Sequence, residues 1–103
     1  MSKYGNQKTA IDGITFDSKR EANRYCELRL LEKAGQIKHL GLQKRFEIVP
    51  KTKYGKALHY VADFVYQECG KMVVEDAKGV RTQVYCLKKR LMAELYNIEI
   101  REV

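Results

Sequence analysis

The sequence has little that would build a disulfide framework, a zinc site or a membrane span. It contains three cysteines, Cys26, Cys69 and Cys86, and two histidines, His39 and His59. An odd number of cysteines without CxxC spacing favours neither disulfides nor zinc, so we expect reduced thiols in the core. No apolar run approaches the roughly 20 residues that a membrane helix needs, and the opening MSKYGNQKTA lacks the apolar segment of a secretion signal. These absences predict a cytoplasmic protein.

Proline is almost absent, and no linker or repeat is visible. The single proline is Pro50, and the glycines mark turns. A chain of 103 residues is long enough for one core and too short for two. Hydrophobic residues make up 45% and charged residues 32%, as in a soluble globular protein. We therefore predict a single domain over residues 1–103, in which residues 1–15 form an N-terminal arm and a small hairpin.

Acidic residues are scarce in the first part of the chain. Residues 1–59 carry 13 Lys and Arg against 6 Asp and Glu, whereas residues 60–103 carry 7 of each sign. The whole net charge of +7 therefore comes from the first part. Such a one-sided field favours a polyanionic partner, because each phosphate that it neutralises releases counterions. The alternative is that the positive charge only keeps the protein soluble.

Turn and capping residues predict the first elements. Asp12-Gly13 stands between short β-prone runs within residues 9–16, which is typical of a tight hairpin. A capping box, Ser18-x-x-Glu21, then begins a helix over residues 16–35, and Gly35 ends it. The apolar residues of this segment recur at helical spacing.

The rest of the chain reads as strands around a second helix. The β-prone stretches are residues 44–50, 57–67 and 71–77. Thr82 caps a helix whose apolar stripe consists of Val84, Leu87, Leu91 and Leu95. Residues 98–103 form a last strand. The predicted fold class is therefore α/β, with a mixed central sheet flanked by helices and preceded by the small hairpin.

Charged residues stand inside two of the predicted strands. Asp63 interrupts the stretch YVADF, and VVEDAK ends with Asp76 and Lys78. Because side chains alternate along a strand, Asp76 and Lys78 share one side while Glu75 takes the other. If the two strands pair antiparallel across the short connection ECGK, Asp63 and Asp76 can meet on one face. The sequence alone leaves that register open.

A divalent cation would explain two carboxylates on one face. Opposed carboxylates repel each other unless a cation lies between them, and Mg²⁺ prefers oxygen ligands, which the carbonyl of Ala77 also offers. Glu21 is a candidate third acid, although the capping box is a sufficient role for it. Lys78 could form a simple ion pair. With a metal present, its ammonium group could orient the attacking water and stabilise charge on a phosphoryl group.

The chain has Asp63, then Asp76-Ala77-Lys78 thirteen residues later, with Glu21 on the helix upstream. This pattern resembles that of the PD-(D/E)XK nuclease superfamily. More narrowly, FDSKRE, YVADF, VEDAKG and IEIREV are similar to a small phage-encoded family in that superfamily. Its members are described either as of unknown function or as endonucleases. The resemblance covers the chain from about residue 4 to its end. It implies a restriction-endonuclease-like αβββαβ core in which Asp63 and Asp76 bind Mg²⁺ or Mn²⁺. It further implies that Lys78 is the catalytic lysine and that Glu21 completes the catalytic site.

Two positions depart from the superfamily pattern. Ala62 stands where a proline often precedes the first aspartate, which matters little because proline only presets the backbone. Glu75 beside Asp76 makes the identity of the second acid ambiguous. Strand alternation favours Asp76, because only Asp76 shares a side with Lys78.

Basic and aromatic residues in two segments are candidates for contacts with DNA. The turn KTKYGK combines lysines with an aromatic ring, as in loops that grip a nucleic-acid backbone. In similar nucleases the residues after the lysine motif approach the scissile backbone, whereas the alternative is a solvated helix face. The candidates are Lys51, Lys53, Tyr54 and Lys56 in the turn and Gln83, Tyr85 and Lys88 in the second helix.

The sequence thus predicts a divalent-metal-dependent DNA endonuclease that hydrolyses phosphodiester bonds by water attack. Superfamily analogy suggests structure-selective cutting of branched or Holliday-type DNA, a homodimer, and a phage or host recombination or replication partner. No membrane partner is expected. One alternative is a non-catalytic basic nucleic-acid-binding module, which would bind without metal and release no product. The other is a nuclease-fold assembly protein that has lost its activity.

Overall fold

The computed structural model describes residues 8–77 and 81–103. Its elements are β1 (Thr9–Ile11), β2 (Ile14–Phe16), α1 (Lys19–Lys33), β3 (Lys38–Val49), β4 (Leu58–Glu68), β5 (Lys71–Asp76), α2 (Gln83–Tyr96) and β6 (Arg101–Glu102). β1 and β2 form a two-stranded sheet, and the other strands form a sheet of order β3-β4-β5-β6. Among the described strands of the second sheet, β5 and β6 pair in parallel and the other neighbours pair antiparallel, so the central sheet is mixed. The predicted α/β class and element order are confirmed.

Local signals produce the N-terminal elements where they were predicted. Asp12 and Gly13 have φ angles of 54° and 76°, which gives the tight turn between β1 and β2. The hydroxyl of Ser18 accepts a hydrogen bond from the N–H of Glu21 at 3.1 Å and so caps α1. The chain leaves the helix through Gly35, whose φ of 77° lies in the left-handed region that glycine adopts without strain.

A two-residue turn determines the pairing of β4 with β5. Cys69 and Gly70 have φ angles of 53° and 76°, and Glu68 pairs with Lys71 directly across them. A tight turn of this kind sets the register of the whole antiparallel ladder. The predicted antiparallel pairing across ECGK is confirmed, and its register is now known.

Two clusters of buried side chains, one under each helix, form the core. The α1 cluster contains Phe16, Ala22, Tyr25, Leu28, Ile37, Phe64 and Tyr66. The α2 cluster contains Ile48, Tyr60, Ala62, Val74, Tyr85, Met92 and Ile100. β4 contributes residues to both clusters, so this strand joins the two parts of the core. Neither α1 nor α2, the helices of the described residues, is long and apolar enough to cross a membrane.

The face of α2 that was predicted to be buried is wrong, because the helix is rotated by about one residue. The helix buries Tyr85 and Met92, which lie 5% and 0% exposed. The stripe predicted as buried is largely in solvent, with exposures of 62% at Val84, 54% at Leu87 and 57% at Leu95. One residue corresponds to a rotation of about 100° around the helix. The hydroxyl of Tyr85 donates to Glu102 of β6 at 2.8 Å, so a polar contact as well as the apolar pattern decides which face is buried.

The prediction of core thiols was also wrong. All three cysteines are free, as expected, but all are exposed. Cys26 and Cys86 lie on solvent-facing sides of the helices, and Cys69 lies in the β4–β5 turn. The turn needs a residue with positive φ there, so backbone geometry outweighs the usual preference of cysteine for the core.

The last strand is shorter than the predicted residues 98–103. Of the predicted residues 98–103, Arg101 and Glu102 pair with β5. Asn97 ends α2 with a φ of 56°, and the N–H of Ile98 still bonds to the carbonyl of Met92 at 3.3 Å. The chain therefore reaches the edge of the sheet only at Arg101.

Candidate active site

Asp63 lies within β4, and Asp76 ends the adjacent strand β5. The paired residues of these two strands end at Phe64 and Glu75, one position before the two acids. The Asp63 carboxylate contacts the residue that follows Asp76, and the charges of both acids raise the pKa of Glu21. The two acids that the resemblance assigned to a metal therefore lie near each other.

Asp63 also holds the end of β5. Its Oδ2 accepts a hydrogen bond from the N–H of Ala77 at 2.8 Å. Ala77 is the residue that follows β5, and its carbonyl was predicted as a further metal ligand. The contact keeps the backbone after Asp76 beside the Asp63 carboxylate.

Glu21 reaches the same place from α1 through Gln43. The side-chain amide of Gln43 donates to Glu21 Oε1 at 3.0 Å and to Asp63 Oδ1 at 3.2 Å. A shared donor at hydrogen-bond distance limits the two acceptor oxygens to a separation of about 6 Å at most. Only the backbone of Glu21 takes part in the helix cap, since its N–H bonds to Ser18 while its carboxylate turns to Gln43. The structure thus places the helix-borne acid next to Asp63.

Gln43 is the residue of this site that sequence reasoning missed. It lies in β3 between Leu42, which pairs with Phe64, and Lys44, which pairs with Ala62. Its φ of 52° lies in the left-handed region, which residues other than glycine rarely adopt. Turns and helix ends use such backbone, as at Asp12 and Asn97, and it also clusters at functional sites. No motif or spacing marks this glutamine, because its two contacts are 20 or more residues away.

The carboxylates of this site repel one another. Burial first, and then the charges of Asp63, Asp17 and Asp76, raise the pKa of Glu21 to about 7, while the hydrogen bond from Gln43 lowers it. Glu21 is only 8% exposed, so water screens these charges weakly. A carboxyl group in this position gains from any cation that approaches it.

Asp76 is buried beside Tyr60. It is 2% exposed, and its Oδ2 accepts a hydrogen bond from the Tyr60 hydroxyl at 2.7 Å. Burial, then this hydrogen bond and the charges of Asp76 and Asp63, raise the pKa of Tyr60, so the hydroxyl remains a donor. The carbonyl of Asp76 accepts the N–H of Val103 at 3.0 Å, so the end of the described chain also holds this residue.

Glu75, the neighbouring acid, belongs to a different group of residues. It is fully buried, and its carboxylate accepts hydrogen bonds from Arg24 Nε at 2.8 Å and Nη2 at 2.7 Å. The hydroxyl of Tyr66 donates to the same carboxylate. The ion pair joins α1 to β5, and Arg24 lies one turn of helix after Glu21. Glu75 therefore holds the helix that carries Glu21, which leaves Asp76 as the candidate acid of β5.

The donor chemistry of the site fits a divalent cation, because carboxylates and a backbone carbonyl are the oxygen ligands that Mg²⁺ and Mn²⁺ take. Glu21, Asp63 and Asp76 would supply the carboxylates, and Ala77 the carbonyl. Within residues 8–77 and 81–103, no three Asp, Glu, His or Cys side chains lie close enough to hold an ion as they stand. Gln43 lies between Glu21 and Asp63, so an ion that joined these two acids would displace its amide.

The other predicted site residues lie in several places. Lys78, predicted as the catalytic lysine, is outside the described residues. Tyr85 is buried and bonded to Glu102, so we assign it to the α2 cluster rather than to a contact with DNA. Gln83 is exposed, and Lys88 is half-buried on α2. The turn residues Lys51, Lys53, Tyr54 and Lys56 are all exposed between β3 and β4.

One family model matches residues 1–102, nearly the whole chain, and it is described as a protein of unknown function. No curated protein and no solved structure matches the chain. A reaction must therefore be inferred from the residues of the site.

Proposed function

The chain belongs to the DUF1064 family of proteins of unknown function, and we propose that it is a divalent-metal-dependent DNA endonuclease. The observation that carries this proposal is that Gln43 joins Glu21 to Asp63, whose carboxylate also holds the residue after Asp76. Burial and the charges of the neighbouring acids raise the pKa of Glu21 to about 7. Packing alone gains nothing from mutually repelling acids, whereas a metal ion beside a phosphate backbone needs them. The net charge of +7 suits a polyanionic substrate.

We infer that α1, β3, β4, β5, α2 and β6 form the restriction-endonuclease-like αβββαβ core of the PD-(D/E)XK superfamily. The order of these elements supports this inference. So do the positions of the acids, with Glu21 in the first turn of α1, Asp63 within β4 and Asp76 at the end of β5. The hairpin of β1 and β2 precedes this core.

In the proposed mechanism, water attacks the phosphorus atom and gives up a proton to bulk water as the new P–O bond forms. The bond to the leaving alkoxide breaks, and the alkoxide takes up a proton from water to leave as the alcohol. Glu21, Asp63 and Asp76, with the carbonyl of Ala77, would hold the metal ion, which when bound supplies a Lewis acid for the phosphoryl oxygen. Lys78 would orient the water and offset the negative charge that develops on the phosphoryl group. Tyr60 holds the Asp76 carboxylate in a fixed orientation.

A cleavage assay tests this proposal. The purified protein is expected to nick or cut DNA in Mg²⁺ or Mn²⁺, to release no product in EDTA, and to recover when excess metal is returned. Paired, gapped and branched DNAs should be compared, since superfamily analogy suggests structure selectivity. Product formed in EDTA, or no product from any of these DNAs in either metal, would contradict the proposal.

A further inference from the structure

The turn between β3 and β4 presents an aromatic ring to solvent on a rigid base. Thr52 and Gly55 exchange two backbone hydrogen bonds, of 3.0 and 3.3 Å. The N–H of Tyr54 donates to the Thr52 hydroxyl at 3.1 Å. Tyr54 is 88% exposed, so its ring contributes almost nothing to the core. An uncovered ring on a hydrogen-bonded turn is suited to binding something outside the fold.

The charges around Tyr54 indicate what it binds. Lys51, Lys53 and Lys56 are all exposed in the same turn. Lys53 Nζ lies 5.1 Å from the centroid of the Tyr54 ring, a cation–π contact that covers one face. The other face is available to a flat ligand. Lysines that hold phosphates beside an aromatic ring that stacks on a base are the usual means of binding single-stranded nucleic acid.

We propose that residues 51–56 form a stacking platform for one unpaired nucleobase of DNA. In a duplex each base is already stacked between its neighbours, and taking it out costs a few kcal/mol. A base in a gap, a fork or a bulge does not incur that cost. The platform would therefore direct the protein to DNA that contains unpaired bases. Such DNA would be the substrate class of the proposed endonuclease, and the cleavage step of this inference rests on that proposed function.

The chain between Tyr54 and Asp63 limits the distance between the platform and the candidate active site. Asp63 lies nine positions after Tyr54, and residues 58–63 belong to the strand. At about 3.3 Å per residue, the two lie at most about 30 Å apart. DNA advances about 3.4 Å per nucleotide along one strand, so the unpaired base should lie within about nine nucleotides of the cleaved bond.

Binding measured in EDTA tests the platform without cleavage. The probes are a fluorescein-labelled paired duplex and the same duplex with a short single-stranded gap. Tyr54→Ala is expected to weaken binding to the gapped duplex about 5- to 150-fold, which corresponds to one lost stacking contact. Its binding to the paired duplex should not change. Tyr54→Phe, which keeps the ring, should bind both DNAs like the wild type.

Lys51→Gln is the matched control for charge. It removes a phosphate contact from the same turn and should weaken binding to both DNAs alike. An unchanged affinity of Tyr54→Ala for gapped DNA, or an equal loss on both DNAs, would overturn the platform. If the wild type nevertheless cleaves DNA, the platform is rejected and the proposed endonuclease activity is retained. Conversely, gap-specific binding through Tyr54 without cleavage would overturn the endonuclease and support the platform.

Discussion

Replacing Asp63 with Asn is expected to slow DNA cleavage by about a thousandfold or more, equivalent to about 4 kcal/mol of lost transition-state stabilisation. Asparagine keeps the size of the side chain and removes its charge, so the loss reports on the charge. In the structure the Asp63 carboxylate contacts both Gln43 and the N–H of Ala77, which places it at the centre of the site. Initial rates on gapped DNA in Mg²⁺ give the comparison.

The same assay compares the other proposed catalytic residues with a control residue. Asp76→Asn and Lys78→Ala should lose activity to a similar degree. Glu68→Gln is the matched control, because Glu68 lies at the other end of β4, where it contacts Arg101 at 3.6 Å. It should cleave like the wild type, and circular dichroism should show that each variant is folded. Wild-type activity in Lys78→Ala or Asp63→Asn would remove the catalytic assignment.

Removing Arg24 is expected to destabilise the fold by about 3–5 kcal/mol, because it leaves a buried carboxylate without its cationic partner. Glu75 is 0% exposed and accepts two hydrogen bonds from Arg24. Arg24→Met keeps much of the apolar length of the side chain and removes the charge. Urea unfolding followed by circular dichroism measures the free energy of unfolding.

A second pair on the same helix provides the control for Arg24. Arg29 and Glu32 contact at 2.6 Å, but both side chains are partly in solvent. Exposed pairs of this kind contribute about 0.3–0.5 kcal/mol, so Arg29→Met should cost far less than Arg24→Met. Equal costs for the two variants would show that the Arg24–Glu75 pair does not anchor α1 to β5.

The features that the sequence predicted correctly depend on neighbouring residues. The Asp12-Gly13 turn and the Ser18 and Thr82 caps each involve a few adjacent positions, and all three form as predicted. Alternation along a single strand separated Glu75 from Asp76. The register of β4 with β5, by contrast, depended on a two-residue turn at Cys69-Gly70, whose geometry the sequence did not specify.

The features that the sequence did not predict depend on distant contacts. Gln43 bridges residues on α1 and β4, and its left-handed backbone follows from that position rather than from its residue type. The rotation of α2 depends on the bond between Tyr85 and Glu102, which joins two elements. The buried pairing of Glu75 with Arg24 spans 51 positions. Periodicity along one element carries no information about such partners.

The pH dependence of stability follows from the raised pKa of Glu21. The folded state binds this proton up to about pH 7, whereas the unfolded state releases it near 4.5. The folded state therefore holds more protons between these values, and the free energy of unfolding should fall as the pH rises from about 4.5 to about 7. At about 1.4 kcal/mol per pKa unit, the contribution of this group is at most about 3 kcal/mol, and screening by water reduces it.

Titration of the Glu21 carboxyl group by carbon-detected NMR, with and without Mg²⁺, is the most direct test of the proposed metal site. It asks whether Glu21, Asp63 and Asp76 bind one cation together. Without Mg²⁺ the midpoint should lie near pH 7, and saturating Mg²⁺ should lower it, because the ion competes with the proton. The carboxyl resonance of Glu68 serves as the internal control that Mg²⁺ should not affect. A midpoint near 4.5, or a raised midpoint that Mg²⁺ leaves unchanged, would contradict the shared metal site.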